Sequence, residues 1–287
     1  MSRGSPLSSL PVDPINTVAS GAFYVFVTDG RTWNFASLLE SERHAPSAVR
    51  DGGTDSARFE AGTNPSLWAS ASGLVGYWSF DGTGSIANNQ IAGLRDESGR
   101  GNHGTASNAN TTGMAFVPGR MGNAVTFDGV DDWVEIGNRS SLNITGAITV
   151  EAWFNIGTLT QPAHRMILDF GAPASYISLI HSGGAFPFLS LNIGGAQRLS
   201  DSNFRPSINT WHHFVATWDG DRMRVYVDGI LRNTSPSFTG VLHTAGIARI
   251  GRHTEPGLFF NGLIDEVRIH NRALTEAEIR TIFNATR

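Results

Sequence analysis

Carboxylates carry most of the chemistry this sequence could perform. Asp81 closes a strand-like run, Leu74–Phe80. Asp96 opens a loop rich in glycine and asparagine, and Asp265 lies on a late strand-like run, Gly262–His270. Carboxylates and backbone carbonyls are hard oxygen donors, and Ca2+ takes six to eight of them at roughly 2.3–2.6 Å. Gly101 and Asn102 are further carbonyl donors. The expected ion is a structural calcium held by Asp81, Asp96, Asn102 and Asp265, which neutralises the carboxylates and pins a long loop to both ends of a domain. The competing reading makes Asp81 and Asp96 turn residues and pairs Asp265 with Arg268. A second acidic group, Asp128, Asp131 and Asp132, surrounds Gly129. Three carboxylates so close could bind a cation, but the favoured reading is a β-turn with solvated carboxylates, because Asp-Gly is ordinary turn chemistry.

Catalysis needs more than isolated acids. A retaining glycosidase sets two carboxyl groups about 5–5.5 Å apart, and strand alternation can aim such acids at one face. Here Glu151 stands alone on its strand, Asp169 likewise, and Asp265 and Glu266 point to opposite faces. An across-strand pair of Glu151 and Asp169 stays open, so an enzyme would use Glu151, Asp169 and His213. There is no Gly-x-Ser-x-Gly elbow, no His-Glu-x-x-His and no phosphate loop. His212 and His213 are adjacent on a strand and face opposite sides, which argues against a shared metal.

Sugar recognition is the other chemistry on offer. Sugar rings stack their C–H faces on aromatic rings, and polar side chains bind the hydroxyls. Trp78, Trp153, Trp211 and Trp218 sit inside apolar runs and read as core. The expected platform is loop or rim residues: Tyr176, His181, Phe186, Phe259 and Phe260. Arg198, Asp201 and Asn203 would supply hydrogen bonds.

Strands must position these groups. The chain has 287 residues, 40% hydrophobic and 16% charged, with 33 glycines. That balance favours an all-β, turn-rich fold. A net charge of −4 leaves no basic field to hold nucleic acid. No run of 18 apolar residues exists, so no transmembrane helix is expected. Cysteine is absent, and all 21 basic residues are arginine. Thiolate metal sites, cysteine nucleophiles and Schiff-base lysines are thereby excluded.

The spacing predicts a boundary near Ser70–Gly73, with domains 1–72 and 73–287. In the first, Phe23–Val27 and Trp33–Leu39 are strand-like, and Glu40–Ser72 reads as loop or linker. From Leu74 short apolar runs recur between turn residues, the pattern of a β-sandwich. Asp228-Gly229 predicts a hairpin. Thr275 and Glu278 form a capping box that opens one C-terminal helix, with Ala277, Ile279, Ile282 and Phe283 on its buried side.

A set of motifs in order carries a family resemblance. They are Leu74-Val75-Gly76-Tyr77-Trp78-Ser79-Phe80-Asp81, Asp96-Glu97-Ser98-Gly99-Arg100-Gly101-Asn102-His103-Gly104 and Gly122-Asn123-Ala124-Val125-Thr126-Phe127-Asp128-Gly129. Ile148–Phe154, Trp211–Ala216, Val225–Gly229, Gly262–Ile269 and Ala273–Ile279 follow. With these, residues 73–287 resemble the laminin-G-like members of the concanavalin A-like lectin/glucanase superfamily. The resemblance implies a two-sheet antiparallel jelly-roll sandwich with a short C-terminal helix and a small N-terminal β extension. It also sets the strand of Asp265 beside that of Asp81. Residues 10–70, with Pro11–Asn16, Phe23–Val27 and Leu38–Ser41, resemble the C-terminal sheet of a type IV pilin or pseudopilin. The apolar N-terminal helix of that family is missing, so the chain is expected to be a fragment or to start downstream of the true start.

The expectation is an extracellular or cell-surface lectin-like module, stabilised by calcium, that binds carbohydrate or polysaccharide without turnover. Two alternatives stay open. One is a glycoside hydrolase on the same fold acting on a β-glucan-type polysaccharide. The other is a pilus-associated structural or assembly protein, whose partner is a pilus or other surface protein.

Overall fold

A computed structural model of the chain describes residues 24–28, 33–38, 58–62, 73–86, 93–108, 113–158, 166–171, 175–178, 186–254 and 257–286. The chain divides into two compact units, residues 1–69 and 70–287. In the first, β1 (Tyr24–Thr28), β2 (Trp33–Leu38) and β3 (Arg58–Gly62) form an antiparallel sheet in that order. The third strand lies within the stretch expected as linker. The rest of the pilin-like segment lies outside the described residues.

The second unit is a sandwich of two antiparallel sheets. One contains β4 (Leu74–Trp78), β5 (Gly84–Ser85), β7 (Ala115–Pro118), β8 (Asn123–Asp128) and β10 (Ile148–Ile156). It also holds β15 (Trp211–Trp218), β16 (Arg222–Val227), β17 (Ile230–Ser237) and β20 (Asn261–His270). Its order is β17-β16-β15-β10-β20-β8-β7-β5, with β4 also on β20. The facing sheet contains β6 (Thr105–Asn108), β9 (Asp132–Gly137), β11 (Met166–Asp169), β12 (Tyr176–Ser178) and β13 (Phe188–Ile193). It is completed by β14 (Ala196–Asp201), β18 (Leu242–His243) and β19 (Ala248–Ile250). Its order is β14-β13-β12-β11-β19-β9-β6, with β18 on β13. All pairings are antiparallel, and the expected double-layered sandwich is the fold.

Alternation explains the core. On β10, Ile148, Val150, Ala152, Phe154 and Ile156 point between the sheets, beside Phe214, Ala216 and Trp218 of β15. The hairpin between β16 and β17 turns at Asp228 and Gly229, both at positive φ (53° and 72°), the conformation that Asp-Gly tolerates.

The outward face of the nine-stranded sheet is also dry, because α1 (Glu276–Thr286) lies on it. Thr275 and Glu278 cap this helix reciprocally: the Glu278 amide donates to Thr275 Oγ1, and the Thr275 amide donates to Glu278. Ile279 packs with Val215, Tyr226 and Leu274, and the Phe283 ring stacks on Trp153 and His213. Ala277, expected inward, is exposed.

Beside that helix a charged group is buried. Arg268 on β20 donates to Glu151 on β10 (3.0 Å) and to Glu266. His213 Nε2 lies 3.6 Å from the other Glu151 oxygen. Burial alone would raise the Glu151 carboxyl, but His213 and Arg268 outweigh it and hold it at about 2. A carboxyl held below its unfolded value contributes stability above about pH 4.5, and that contribution is lost as the pH falls towards 2. Glu151→Gln is expected to cost about 3 kcal/mol at pH 7 and to flatten this acid limb. Urea denaturation of both proteins across pH 3–7 checks it, and an unchanged acid slope in the variant would contradict it.

Candidate functional site

The long strand β20 changes partner halfway along. Asn261–Ile264 pair with β8, and Val267–His270 pair with β4. Asp265 and Glu266 fall in the gap, and Glu266 takes a positive φ of 54°. Into this gap the β7–β8 turn, residues 119–122, presents its amides. Asp265 Oδ2 accepts from the amides of Arg120 (2.8 Å) and Met121 (3.0 Å). Its Oδ1 is buried and meets no donor, in a residue that is 0% exposed. Burial, with the Glu266 charge behind it, pushes the carboxyl up to about 7 against the pull of those amides.

Asp81 reaches the same turn from the end of β4. Its Oδ1 accepts from the Asn123 amide at 2.8 Å. A Cβ at Gly122 would stand 2.0 Å from that oxygen, and the φ there is +55°, so only glycine lets the carboxylate approach. Asp81 and Asp265 thus close on one turn. Their grouping with Asp96 and Asn102 is corrected. Both oxygens of Asp96 are taken by the amides of Tyr77, Ser98 and Asn102 (2.8–3.0 Å), so that carboxylate folds its own loop. The Asn102 carbonyl, the expected ligand atom, accepts from the Trp78 indole N–H at 3.0 Å, and the buried side chain donates to the Val75 carbonyl and accepts from Ser141. Among the described residues, one trio of carboxylates has oxygens within 4.8 Å of one another, and it is Asp128, Asp131 and Asp132.

The residues considered for catalysis are separated by the sandwich. Glu151 and His213 meet, but both are fully buried beside the helix. Asp169 stands on the other sheet, so the across-strand pair of Glu151 and Asp169 does not form. Asp169 instead holds a loop: it accepts from the Gly171 amide and from the amide and hydroxyl of Thr254 (2.6–2.9 Å).

Residues 251–254 and 257–260, which it holds, carry the most platform-like feature among the described residues. Arg252 and Phe259 are bridged to each other. Their side chains meet Trp133 on β9, where Trp133 and Glu135 alternate with the buried Val134 and Ile136 and therefore face outward. The Trp133 and Phe259 ring centroids are 6.2 Å apart. The Arg252 guanidinium lies 4.3 Å from the Trp133 ring and 5.3 Å from Phe259. All three side chains are half-buried. Arg249 and Glu135 pair alongside at 3.5 Å. Trp133 and Arg252 were not expected from sequence. The available signal was parity, since Trp133 shares the side of Glu135 in Asp-Trp-Val-Glu-Ile.

Of the other expected ligand residues, Phe260 is corrected to the core: it is 0% exposed and packs edge-on against Phe127. The Phe260 amide donates to Gly251, which leaves Phe259 as the outward neighbour. Arg198 is corrected too. It stands opposite the core residue Leu191, so it turns inward, and its guanidinium covers the Phe238 ring at 5.0 Å. Asp201 ends β14, accepts from the Asn203 amide, and gives its carbonyl to Asn233. Four strands, β13, β12, β11 and β19, separate this edge strand from β9, so Arg198, Asp201 and Asn203 do not join Phe259. Phe186 is half-buried before β13. The side chain of Tyr176 and all of His181 lie outside the described residues.

Comparison with known proteins agrees with this architecture. Domain 4 of AbnA, an extracellular GH43 arabinanase of Geobacillus stearothermophilus in complex with arabinotriose, is similar at 24% identity with a TM-score of 0.56. The match covers 74% of this chain and 98% of that domain. The binding domain of Paraclostridial Mosquitocidal Protein 1 is similar at 15% identity and TM-score 0.57, over 75% of this chain and 52% of that one. The binding domain of botulinum neurotoxin serotype D/C VPI 5993 is similar at 14% and 0.56, over 76% and 53%. This chain thus spans about half the length of those two toxin domains, and the likeness is one of fold. No curated protein matches the sequence. Residues 127–280, more than half of the chain, match the family model, and the chain belongs to the concanavalin A-like lectin/glucanases superfamily.

Proposed function

We propose that the sandwich is a carbohydrate-binding module of a secreted or surface protein, acting by recognition and adhesion without turnover. The observation that carries this reading is the outward group Trp133–Phe259–Arg252. Two aromatic faces suit the C–H faces of a sugar ring, and a guanidinium donates to hydroxyl oxygens. The arabinotriose complex of the AbnA domain lends support by likeness of fold. No helix among the described residues is long and apolar enough to cross a membrane.

Arabinotriose, arabinan and β-glucan oligosaccharides are the probes for this reading. Trp133→Ala and Phe259→Ala are each expected to weaken binding of the preferred glycan at least tenfold, as loss of about 1.4 kcal/mol implies. Both variants should stay folded, with some loss of melting temperature because both rings are half-buried. Titration calorimetry reads this. A glycan bound equally well by both variants, or no binding to any of the probes, would overturn the reading.

The reading includes a structural calcium at Asp81 and Asp265. The donor set is oxygen, as calcium requires, and the donorless buried Asp265 Oδ1 is what fits a cation. When bound, the ion would neutralise these carboxylates and fasten the β7–β8 turn to β20. At a hundredfold excess over its Kd, calcium should add about 2.7 kcal/mol, a rise of about 5–10 °C in Tm for a domain of this size. Asp265→Asn should remove this site's share of the calcium-dependent rise, whereas Asp96→Asn should lower Tm equally with calcium and with chelator. Scanning calorimetry distinguishes them, and a wild-type Tm indifferent to chelator would contradict the calcium site.

A further inference from the structure

The turn between β8 and β9 gathers negative charge that its own hydrogen bonds leave partly unanswered. Asp128 Oδ1 accepts from the amides of Val130 (2.7 Å) and Asp131 (3.3 Å), as a turn aspartate does. Asp132 is different. It is 0% exposed, its Oδ2 accepts from the Asp128 amide at 3.0 Å, and its Oδ1 is buried with no donor. Among the described residues no arginine or histidine lies within 4.0 Å of it.

The surroundings keep Asp132 in this position. Gly113 packs so closely that a Cβ there would stand 2.5 Å from Asp132 Oδ2 and 3.1 Å from Oδ1. Gly129 takes a φ of +82° against Asn261, whose amide group donates to the Asp128 carbonyl at 2.6 Å. The turn is therefore clamped from the β20 side, and its three carboxylates have oxygens within 4.8 Å of one another. A buried carboxylate without a partner is costly, and it resolves by taking a proton or a cation. Burial and the neighbouring Asp128 and Asp131 charges push the Asp132 carboxyl up to about 6.

We propose that this turn is a divalent-cation site, with Asp128, Asp131 and Asp132 as carboxylate ligands and Ca2+ as the ion. Oxygen-only donors on a backbone turn suit that hard cation. The site is separate from the Asp81–Asp265 turn and does not rest on the carbohydrate reading. An ordinary Asp-Gly turn accounts for the bonds of Asp128, but it leaves Asp132 Oδ1 buried and unmatched.

Titration calorimetry of the chelator-treated full chain with CaCl2 tests it. The wild type is expected to take up two equivalents, Asp132→Asn one, and Asp265→Asn one. Asp131→Asn, at the half-buried edge of the turn, should weaken one equivalent at least tenfold, and it carries the test should Asp132→Asn fail to fold. If Asp265→Asn leaves the heat unchanged while Asp132→Asn abolishes it, this site stands and the Asp81–Asp265 site falls. Calcium binding unchanged by Asp131→Asn and by a folded Asp132→Asn would overturn the inference. So would removal of all binding by Asp265→Asn, or no binding up to about 10 mM, beyond the weakest range of extracellular calcium modules.

Discussion

One strand, β20, has to serve two neighbours, and much of the sandwich depends on how it does so. Its first half completes the sheet with β8 and its second half with β4. Between them the backbone must step out of register, which Glu266 does at positive φ. The step costs conformational energy in a non-glycine residue. Beside the step the amides of the half-buried β7–β8 turn need acceptors. Asp265 supplies one oxygen to two of those amides. Its second oxygen is buried and meets no donor, which is the feature the proposed calcium would satisfy.

The two faces of the sandwich divide the labour. The nine-stranded sheet is covered by the C-terminal helix, and its outward side chains form a dry layer with Glu151, His213 and Arg268 locked together. Charges so placed give rigidity and are closed to substrate. The eight-stranded sheet keeps Trp133 facing outward, and the 251–260 loop lays Arg252 and Phe259 beside it. Asp169 ties that loop down through Thr254. The platform is thus held by a strand on one side and a buried carboxylate on the other, the pre-organisation that a binding surface needs.

The sandwich was legible because strand alternation and turn residues are local signals. The apolar runs Ile148–Ile156, Phe188–Ile193, Trp211–Trp218 and Arg222–Val227 each form one strand. The Asp228-Gly229 hairpin and the Thr275–Glu278 capping box also follow from a few adjacent residues. What stayed hidden was long-range. No local pattern shows that β20 changes partner at Asp265, or that Asp96 also accepts from the Tyr77 amide nineteen residues away. Phe259 and Phe260 are identical in type, and only the bridge between Arg252 and Phe259 decides which faces out. β6, β7 and β14 were missed because their polar or short sequences lack a strong apolar alternation. The Asp128 group reads as solvated from sequence, since Asp132 is packed against Gly113, distant in the chain.

The most direct measurement is a crystal structure of the chain grown with calcium, with anomalous difference maps at a wavelength where calcium scatters. The account predicts a peak in contact with Asp265 Oδ1 and the Asp81 carboxylate, at the gap where β20 passes from one neighbour to the other. A map with no peak there, and a water or a protonated carboxyl satisfying Asp265, would contradict it.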